Sequence, residues 1–221
     1  MKLLAIIPAR AGSKRLPGKN VKLFRGKSLV ARTIEFAIKL NIFENILITT
    51  DSKEVLKVAK KYPVLVPWLR PKKLSMDNSS SIAFANHAIN WYNVKFNKIN
   101  AVVLLQPTSP FREIETFLKM LKIFKKNKQS VMTVDKNISS TKKIYIIKKN
   151  KLIKISKRNE ANYKRNLFVK INGNLFFNTV ANLKKFKNFT NPKSVPFLLK
   201  NPKEAVDIDT KEDWENAKKF K

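Results

Sequence analysis

A doubly wound α/β fold with a mostly parallel sheet is what this 221-residue chain predicts, on three observations. Short apolar runs of strand length recur through the first 135 residues. Stretches with helical apolar spacing separate them, and no repeat or low-complexity linker interrupts the alternation. Hydrophobic residues make up 43% of the chain, enough for a sizeable core.

Residues 1–9 are apolar, but Arg10, Lys14 and Arg15 cut the run off before a signal-peptide core could develop, so residues 3–8 read as a buried first strand. Residues 29–40 carry Leu29, Ile34, Ala37 and Ile38 at helical spacing, with Ser28 as the N-cap. Strands are expected at 46–50, 64–68, 101–106 and 130–134. Helices are expected between them at about 53–62, 80–93 and 113–126. Asp51 is a candidate cap for the second helix, and one of the serines near residue 80 for the third. Such alternation gives βαβ units with helices on both faces of the sheet, and ligands of such sheets bind at the carboxyl ends of the strands.

The pattern changes after Asp135. Residues 143–148 and 152–155 read as a strand pair turning at 149–151, and 168–178 as a strand element broken at Gly173. A short strand over 205–208 and a helix from Lys211 close the chain. We therefore expect one domain over 1–221 with an inserted β-rich arm at about 136–168, and no further C-terminal domain.

Composition excludes several chemistries. Without cysteine there are no disulfides or thiolate metal sites, which fits an intracellular, cytoplasmic protein. His87 is the only imidazole and reads as structural or surface, so zinc sites and Ser-His-Asp triads are not expected. Any metal should be a hard ion on carboxylates. No apolar run reaches the roughly 20 residues of a membrane span. The net charge of +32 is mostly lysine spread along the whole chain, and Lys, Asn and Ile are abundant together, as AT-rich coding favours. A selected polyanion-binding surface is the alternative. It would need a concentrated cationic face with interleaved aromatics, whereas the phenylalanines here fall in core-like segments, so nucleic acid is not the expected partner.

Four loops carry candidate chemistry. The first, Pro8-Ala9-Arg10-Ala11-Gly12-Ser13-Lys14-Arg15-Leu16-Pro17-Gly18-Lys19-Asn20, follows the first strand and combines two glycines with four cations, as a phosphate-binding loop requires. It is not a P-loop, because five residues separate Gly12 from Gly18 and Asn20 stands where Ser or Thr is needed. The second is Val206-Asp207-Ile208-Asp209-Thr210. On a strand, Asp207 and Asp209 would share one face and seat a divalent cation. Thr210 or Asp209 could equally cap the last helix, with Asp213 completing a capping box, and both roles can hold together. The third is Leu105-Gln106-Pro107-Thr108-Ser109-Pro110-Phe111-Arg112. Gln106, Thr108 and Ser109 offer neutral hydrogen bonds for a polyhydroxylated ligand, or Ser109 caps the next helix. The fourth is Leu69-Arg70-Pro71 with Asp77 and Ser81 beyond it, where Arg70 could reach a base or phosphate.

Together these motifs resemble the acylneuraminate cytidylyltransferases. The likeness begins with residues 6–20, continues through Thr50-Asp51, Leu69-Arg70-Pro71 and Leu104-Leu105-Gln106-Pro107-Thr108-Ser109-Pro110, and ends with Asp207-Ile208-Asp209-Thr210. It implies a nucleotide-diphospho-sugar transferase-like fold and a homodimer whose arm reaches the partner's site. It also implies CTP and an acidic 2-keto-3-deoxy sugar as substrates, with Mg²⁺. On that resemblance Ala9, Arg10, Ser13, Lys14, Lys19 and Asn20 would hold the nucleotide, helped by Arg70, Asp77 and Ser81. Arg10, Lys19 and Asp209 would be catalytic, and Asp207 and Asp209 would take the metal. Gln106, Thr108, Ser109, Arg165, Lys170 and Asn172 would face the sugar. Many members have Arg-Pro-Asn-Gly where this chain has Lys170-Ile171-Asn172-Gly173, and lysine lacks the fork that grips a carboxylate. The expected acceptor is an N-acylneuraminate, with legionaminic, pseudaminic and 3-deoxy-octulosonic acids as alternatives.

Overall fold

The computed structural model describes residues 1–136, 144–155, 163 and 167–220. A twisted sheet runs in the order β10 (Val195–Leu198), β6 (Val131–Asp135), β9 (Phe168–Thr179), β5 (Ala101–Leu104), β1 (Leu3–Pro8), β4 (Asn45–Thr49). β1 lies parallel to both β4 and β5, and β10 parallel to β6, while β9 runs antiparallel between β5 and β6. β1 is central and wet on neither face. Ala5 and Ile7 join one core with Ile34, Ile48, Val103, Phe117, Phe124 and Phe177. Leu4 and Ile6 join the other with Leu47, Phe84, Ile89, Val102, Leu104 and Met132. The first core is covered by α1 (Leu29–Leu40), α2 (Lys53–Ala59) and α4 (Ile114–Asn127). The second is covered by α3 (Ser81–Lys95) and α5 (Val180–Phe186). Among the described residues no helix is long and apolar enough to cross a membrane. Phe24, Phe117, Phe124 and Phe177 are fully buried, so these four form no stacking platform.

Local signals fix most boundaries. Ser28 caps α1 by accepting from Ala31 N at 3.3 Å. Ser52, not Asp51, caps α2 by accepting from Val55 N at 3.1 Å. Ser80 occupies the N-cap position of α3 without a side-chain bond. Ser109 caps nothing: α4 starts after Glu113, whose amide is bonded instead by the distant Glu204 carboxylate at 3.2 Å.

Several expectations need correction. Residues 64–68 form no strand, only an isolated bridge at Leu65 with another just beyond at Leu69, because Pro63 before the segment and Pro67 within it lack amide donors. The second helix ends at Ala59, short of Tyr62-Pro63. β9 is continuous through Gly173, yet the expected break shows in its register: Met132 of β6 pairs with Phe176 and Val134 with Ile171, so the extra residues bulge on β9 across Gly173. Residues 205–208 are not a strand. A short 3-10 turn over Pro202–Ala205 leads into extended chain whose Ile208 N bonds Thr108 O at 2.8 Å. The small ladder of β2 (Leu23–Phe24) with β3 (Lys27–Ser28), helix α5 and strand β10 had no expectation. β10 contains Pro196 and is tolerated as an edge strand.

Of the expected arm, β7 (Ile144–Lys148) and β8 (Lys151–Ile155) pair as a hairpin against β9. Its turn is Lys149-Asn150, both at positive φ, as a two-residue hairpin turn demands. The arm's residues 137–143, 156–162 and 164–166 lie outside the described residues.

A third, small core ties the ends of the chain together. Leu16 of the opening loop, Phe24 and Leu29 pack on Ile208 and on Trp214 and Ala217 of α6 (Lys211–Lys219), with Phe24 edge-on to Trp214 at 5.4 Å. Trp214→Ala should therefore destabilise the protein by about 3–5 kcal/mol in urea unfolding, as for other buried tryptophans. A change below about 1 kcal/mol would mean that α6 contributes little to holding the opening loop.

Candidate active site

At the carboxyl ends of β1, β4 and β5 lies an open cleft of about 510 Å³. Pro8, Arg10, Ser13, Lys14, Arg15, Lys19 and Asn20 line one side. Arg70, Asp77, Ser81 and Phe84 line a second, and Gln106, Pro107, Thr108, Asp207 and Asp209 a third. This is where an open parallel sheet places its ligand.

Hydrogen bonds to its backbone hold the opening loop from below. Ala9 N donates to Thr49 O, and its carbonyl accepts from Thr50 Oγ1 at 2.5 Å. Ala11 N donates to Asp51 Oδ1 at 2.8 Å. The buried Asn20 amide reaches back to Arg10 O at 2.9 Å, closing the loop on itself, and Gly18 turns the chain at φ 65°. Ala9 and Asn20 thus shape the loop, while its cations project from it.

Each of the four cations is paired, and two carboxylates serve all four. Asp77 binds Arg10 at 2.8 Å and Lys14 at 2.7 Å. Asp209 binds Lys19 and Arg15, each at 2.6 Å. The two pairings differ in setting. Lys14 is 82% exposed, whereas Lys19 is 13% exposed and also reaches Ile208 O. Hydrogen bonds from Lys14 and then Arg10 hold the Asp77 carboxyl below its usual range. Burial pushes Asp209 upward, but Lys19 and Arg15 outweigh it and leave this carboxyl below its usual range.

Asp207 stands apart. Burial, and then the neighbouring Asp209 charge, push its carboxyl above the usual range, against a hydrogen bond with the Thr108 side chain. Its Oδ1 is buried and finds no hydrogen-bond partner. Asp207 and Asp209 face one cleft although no strand carries them: the Ile208–Thr108 bond anchors the residue between them. Thr210 and Asp213 form the complete capping box of α6, so helix capping does not consume Asp209. A buried carboxylate oxygen without a donor beside a second carboxylate fits a hard cation. Among the described residues no group of three or more His, Cys, Asp or Glu is gathered, so a cation held by these two would take the rest of its shell from water or ligand.

Arg70 is likewise under-satisfied. Its side chain is 3% exposed and lies over the Phe84 ring, with Asp51 at 3.8 Å. Its Nε and Nη2 have no hydrogen-bond partner. A buried guanidinium with free donors lining a cleft is built for an acceptor brought by a ligand. His87 does not line the cleft; it packs edge-on against Trp68 at 4.6 Å.

The sugar-facing expectations divide. Gln106 and Thr108 line the cleft. Ser109 does not, being fully buried with its carbonyl bonded to Arg112 at 2.6 Å. Asn172 is buried on β9, donating to Asp135 at 3.1 Å and to Ala205 O at 2.9 Å, and Lys170 lies 4.0 Å from Asp135. Arg165 lies outside the described residues. Sequence reasoning gave no role to Arg112 or Glu204, and read Gly173 only as a break in its strand. A Cβ at residue 173 would collide with the Gln106 amide, so glycine there leaves room for it. The adjacency of Arg112 to the Gln106–Ser109 loop was the one usable signal for the first of these.

A family model described as cytidylyltransferase matches residues 4–221. The chain is 38% identical to the CMP-N,N'-diacetyllegionaminic acid synthase of Legionella pneumophila, over 100% of this chain and 96% of that protein. It is 31% identical to the N-acylneuraminate cytidylyltransferase of Escherichia coli over 98% of its own length, which spans 51% of that protein. A solved CMP:2-keto-3-deoxy-manno-octonic acid synthetase complexed with CTP shares the fold, with a TM-score of 0.74 at 15% identity, covering 99% of this chain and 97% of that one.

If Arg70 waits for a ligand, Arg70→Met should leave the unfolding free energy of the ligand-free protein within about 1 kcal/mol of the parent, or raise it. Loss of more than about 3 kcal/mol, as for a broken buried ion pair, would make Arg70 a structural residue.

Proposed function

The chain belongs to the acylneuraminate cytidylyltransferase family of nucleotidyltransferases, and from that premise we propose that it transfers CMP from CTP to the anomeric hydroxyl of a nonulosonic acid, releasing pyrophosphate. The observation that carries this reading is the convergence, in one cleft, of the paired loop cations, the Arg70 guanidinium with two nitrogens lacking hydrogen-bond partners, and the Asp207–Asp209 carboxylates. As acceptor, the 38% identity to the legionaminate synthase, against 31% to the acylneuraminate enzyme, favours a diacetylated legionaminic acid over the N-acylneuraminate expected from the motifs. A homodimer completed by the arm at about 136–168 belongs to the same reading; the β7–β8 hairpin on β9 supports it.

The chemistry asked of the protein is positioning and charge neutralisation. The acceptor hydroxyl oxygen bonds to the α-phosphorus as the bond from that phosphorus to the bridging oxygen breaks. The hydroxyl proton passes to solvent, and the pyrophosphate leaves. Arg10 and Lys14 exchange Asp77 for phosphate oxygens, while Lys19, fixed by Asp209 and Ile208 O, stays at the reacting end. Arg70 supplies its free donors to the nucleotide, and Gln106 and Thr108 orient the acceptor. Asp207 and Asp209 would hold Mg²⁺, which when bound supplies positive charge to the polyphosphate and acidity to the attacking hydroxyl.

The reading is tested with purified protein, CTP, Mg²⁺ and a panel of legionaminic, N-acylneuraminic, pseudaminic and octulosonic acids, followed by mass spectrometry. A CMP-sugar from one nonulosonic acid is expected, and CTP binding without product from any would remove the acceptor assignment. Asp209→Ala should abolish turnover, and normal activity would end its metal role. Lys19→Ala should cost about 2 kcal/mol or more of transition-state stabilisation in kcat/KM; an effect on acceptor KM alone would misplace it. Asp77→Asn should lower the KM for CTP and tighten inhibition by pyrophosphate, since it removes the anion that competes for Arg10 and Lys14. A raised KM would show instead that Asp77 orients those cations for the nucleotide.

A further inference from the structure

Arg112 is half-buried, with its guanidinium enclosed behind the acceptor side of the cleft, and does not line it. Its Nε donates to Asn174 O at 3.0 Å, and its Nη1 to Ser109 O at 2.6 Å and Thr33 Oγ1 at 3.4 Å. Its Nη2 donates to Gln106 O. One rigid fork therefore holds both ends of the 106–109 loop and ties them to β9. Burial lowers the guanidinium to about 9, so it remains charged at neutral pH, with Asp207 and Glu204 as the opposing charges.

What this fork holds is what faces the ligand. Gln106 and Thr108 line the cleft, with the Gln106 amide lying over Gly173, beside the carbonyl that Arg112 binds. Thr108 then secures the carboxylate segment through its carbonyl, which accepts from Ile208 N at 2.8 Å. A continuous set of contacts thus runs from Arg112 through residues 106–109 to residues 207–209. None of the hydrogen bonds of Arg112 reaches the opening loop. An apolar side chain would fill the same space without desolvating a charge, so stability alone gives no reason for a guanidinium at this position. Three carbonyls at fixed angles do give one, and a lysine ammonium cannot reproduce that fork.

We propose that Arg112 is a positioning residue for the acceptor: it sets the 106–109 loop, and through Thr108 the Asp207–Asp209 pair, while leaving nucleotide binding to the opening loop. The kinetic part of this proposal rests on the function proposed above.

The test uses Arg112→Lys in the full chain, and Arg112→Met, which fills the volume without a buried charge, should the lysine variant fail to fold. Three quantities are measured: amide hydrogen exchange, the CTP dissociation constant by calorimetry, and the kinetics with the acceptor. Exchange at Ile208 and across residues 106–109 should quicken while β1 and β5 stay protected. CTP affinity should stay within about threefold, and kcat/KM for the acceptor should fall by about 10²-fold, the scale of a displaced positioning group. Unchanged acceptor kinetics would overturn the proposal, as would loss of acceptor kinetics, CTP affinity and core protection together, which marks a merely structural arginine. If the parent protein turns over no acceptor at all, the function reading fails on its own. The exchange measurement still decides the positioning role, and unchanged exchange at Ile208 refutes it.

Discussion

The ion pair between Lys19 and Asp209 joins the two ends of this chain and organises what lies between them. The residues are 190 positions apart, yet their atoms meet at 2.6 Å, with Lys19 almost enclosed. Apolar packing brings them within reach: Leu16 and Ile208, neighbours of each, share a core with Trp214. A chain of net charge +32 has little carboxylate to spend, and it places Asp77 and Asp209 where four cations crowd one short loop. Without those counter-charges the loop would repel itself, and the cleft would lose the geometry that its backbone hydrogen bonds establish.

The two carboxylates need not hold equally well. Asp77 and Lys14 are solvent-exposed, and ion pairs of that kind contribute roughly 0–1 kcal/mol. On the proposed reading, a polyphosphate would bring several charges at once and displace Asp77 at small cost. Asp209 is more enclosed, grips Lys19 directly, and sits two residues from a carboxylate oxygen that no protein donor satisfies. On that reading the cleft has one yielding and one lasting counter-ion, which would separate binding the nucleotide's phosphates from holding the reacting end in place.

Much of this was legible in the sequence where the signal is local. The first strand, the opening loop and the Ser28 cap depend on residues adjacent in the chain, and they appear where expected. The 64–68 segment misled because its apolar content outweighed two prolines that deny it a ladder. The aspartate pair was found for an incomplete reason. The two side chains share a cleft because Thr108, about 100 residues earlier, holds the amide between them, not because a strand alternates. Arg112 and Glu204 left little trace: Arg112 joins the nearby carbonyls of 106 and 109 to the distant carbonyl of 174, and Glu204 answers the distant amide of 113. Lone charges within a sequence this rich in charge do not announce that they are buried.

The central claim, transfer of a nucleotidyl group within this cleft, is tested most directly by following labelled phosphorus. Parallel reactions with CTP labelled at the α- or the γ-phosphorus, a nonulosonic acid and Mg²⁺ would be separated into sugar-linked and free phosphate products. The expected result is α-label attached to the sugar and γ-label in pyrophosphate. Finding the γ-label on the sugar would make the enzyme a kinase, and that result would contradict the roles proposed for Lys19, Asp207 and Asp209.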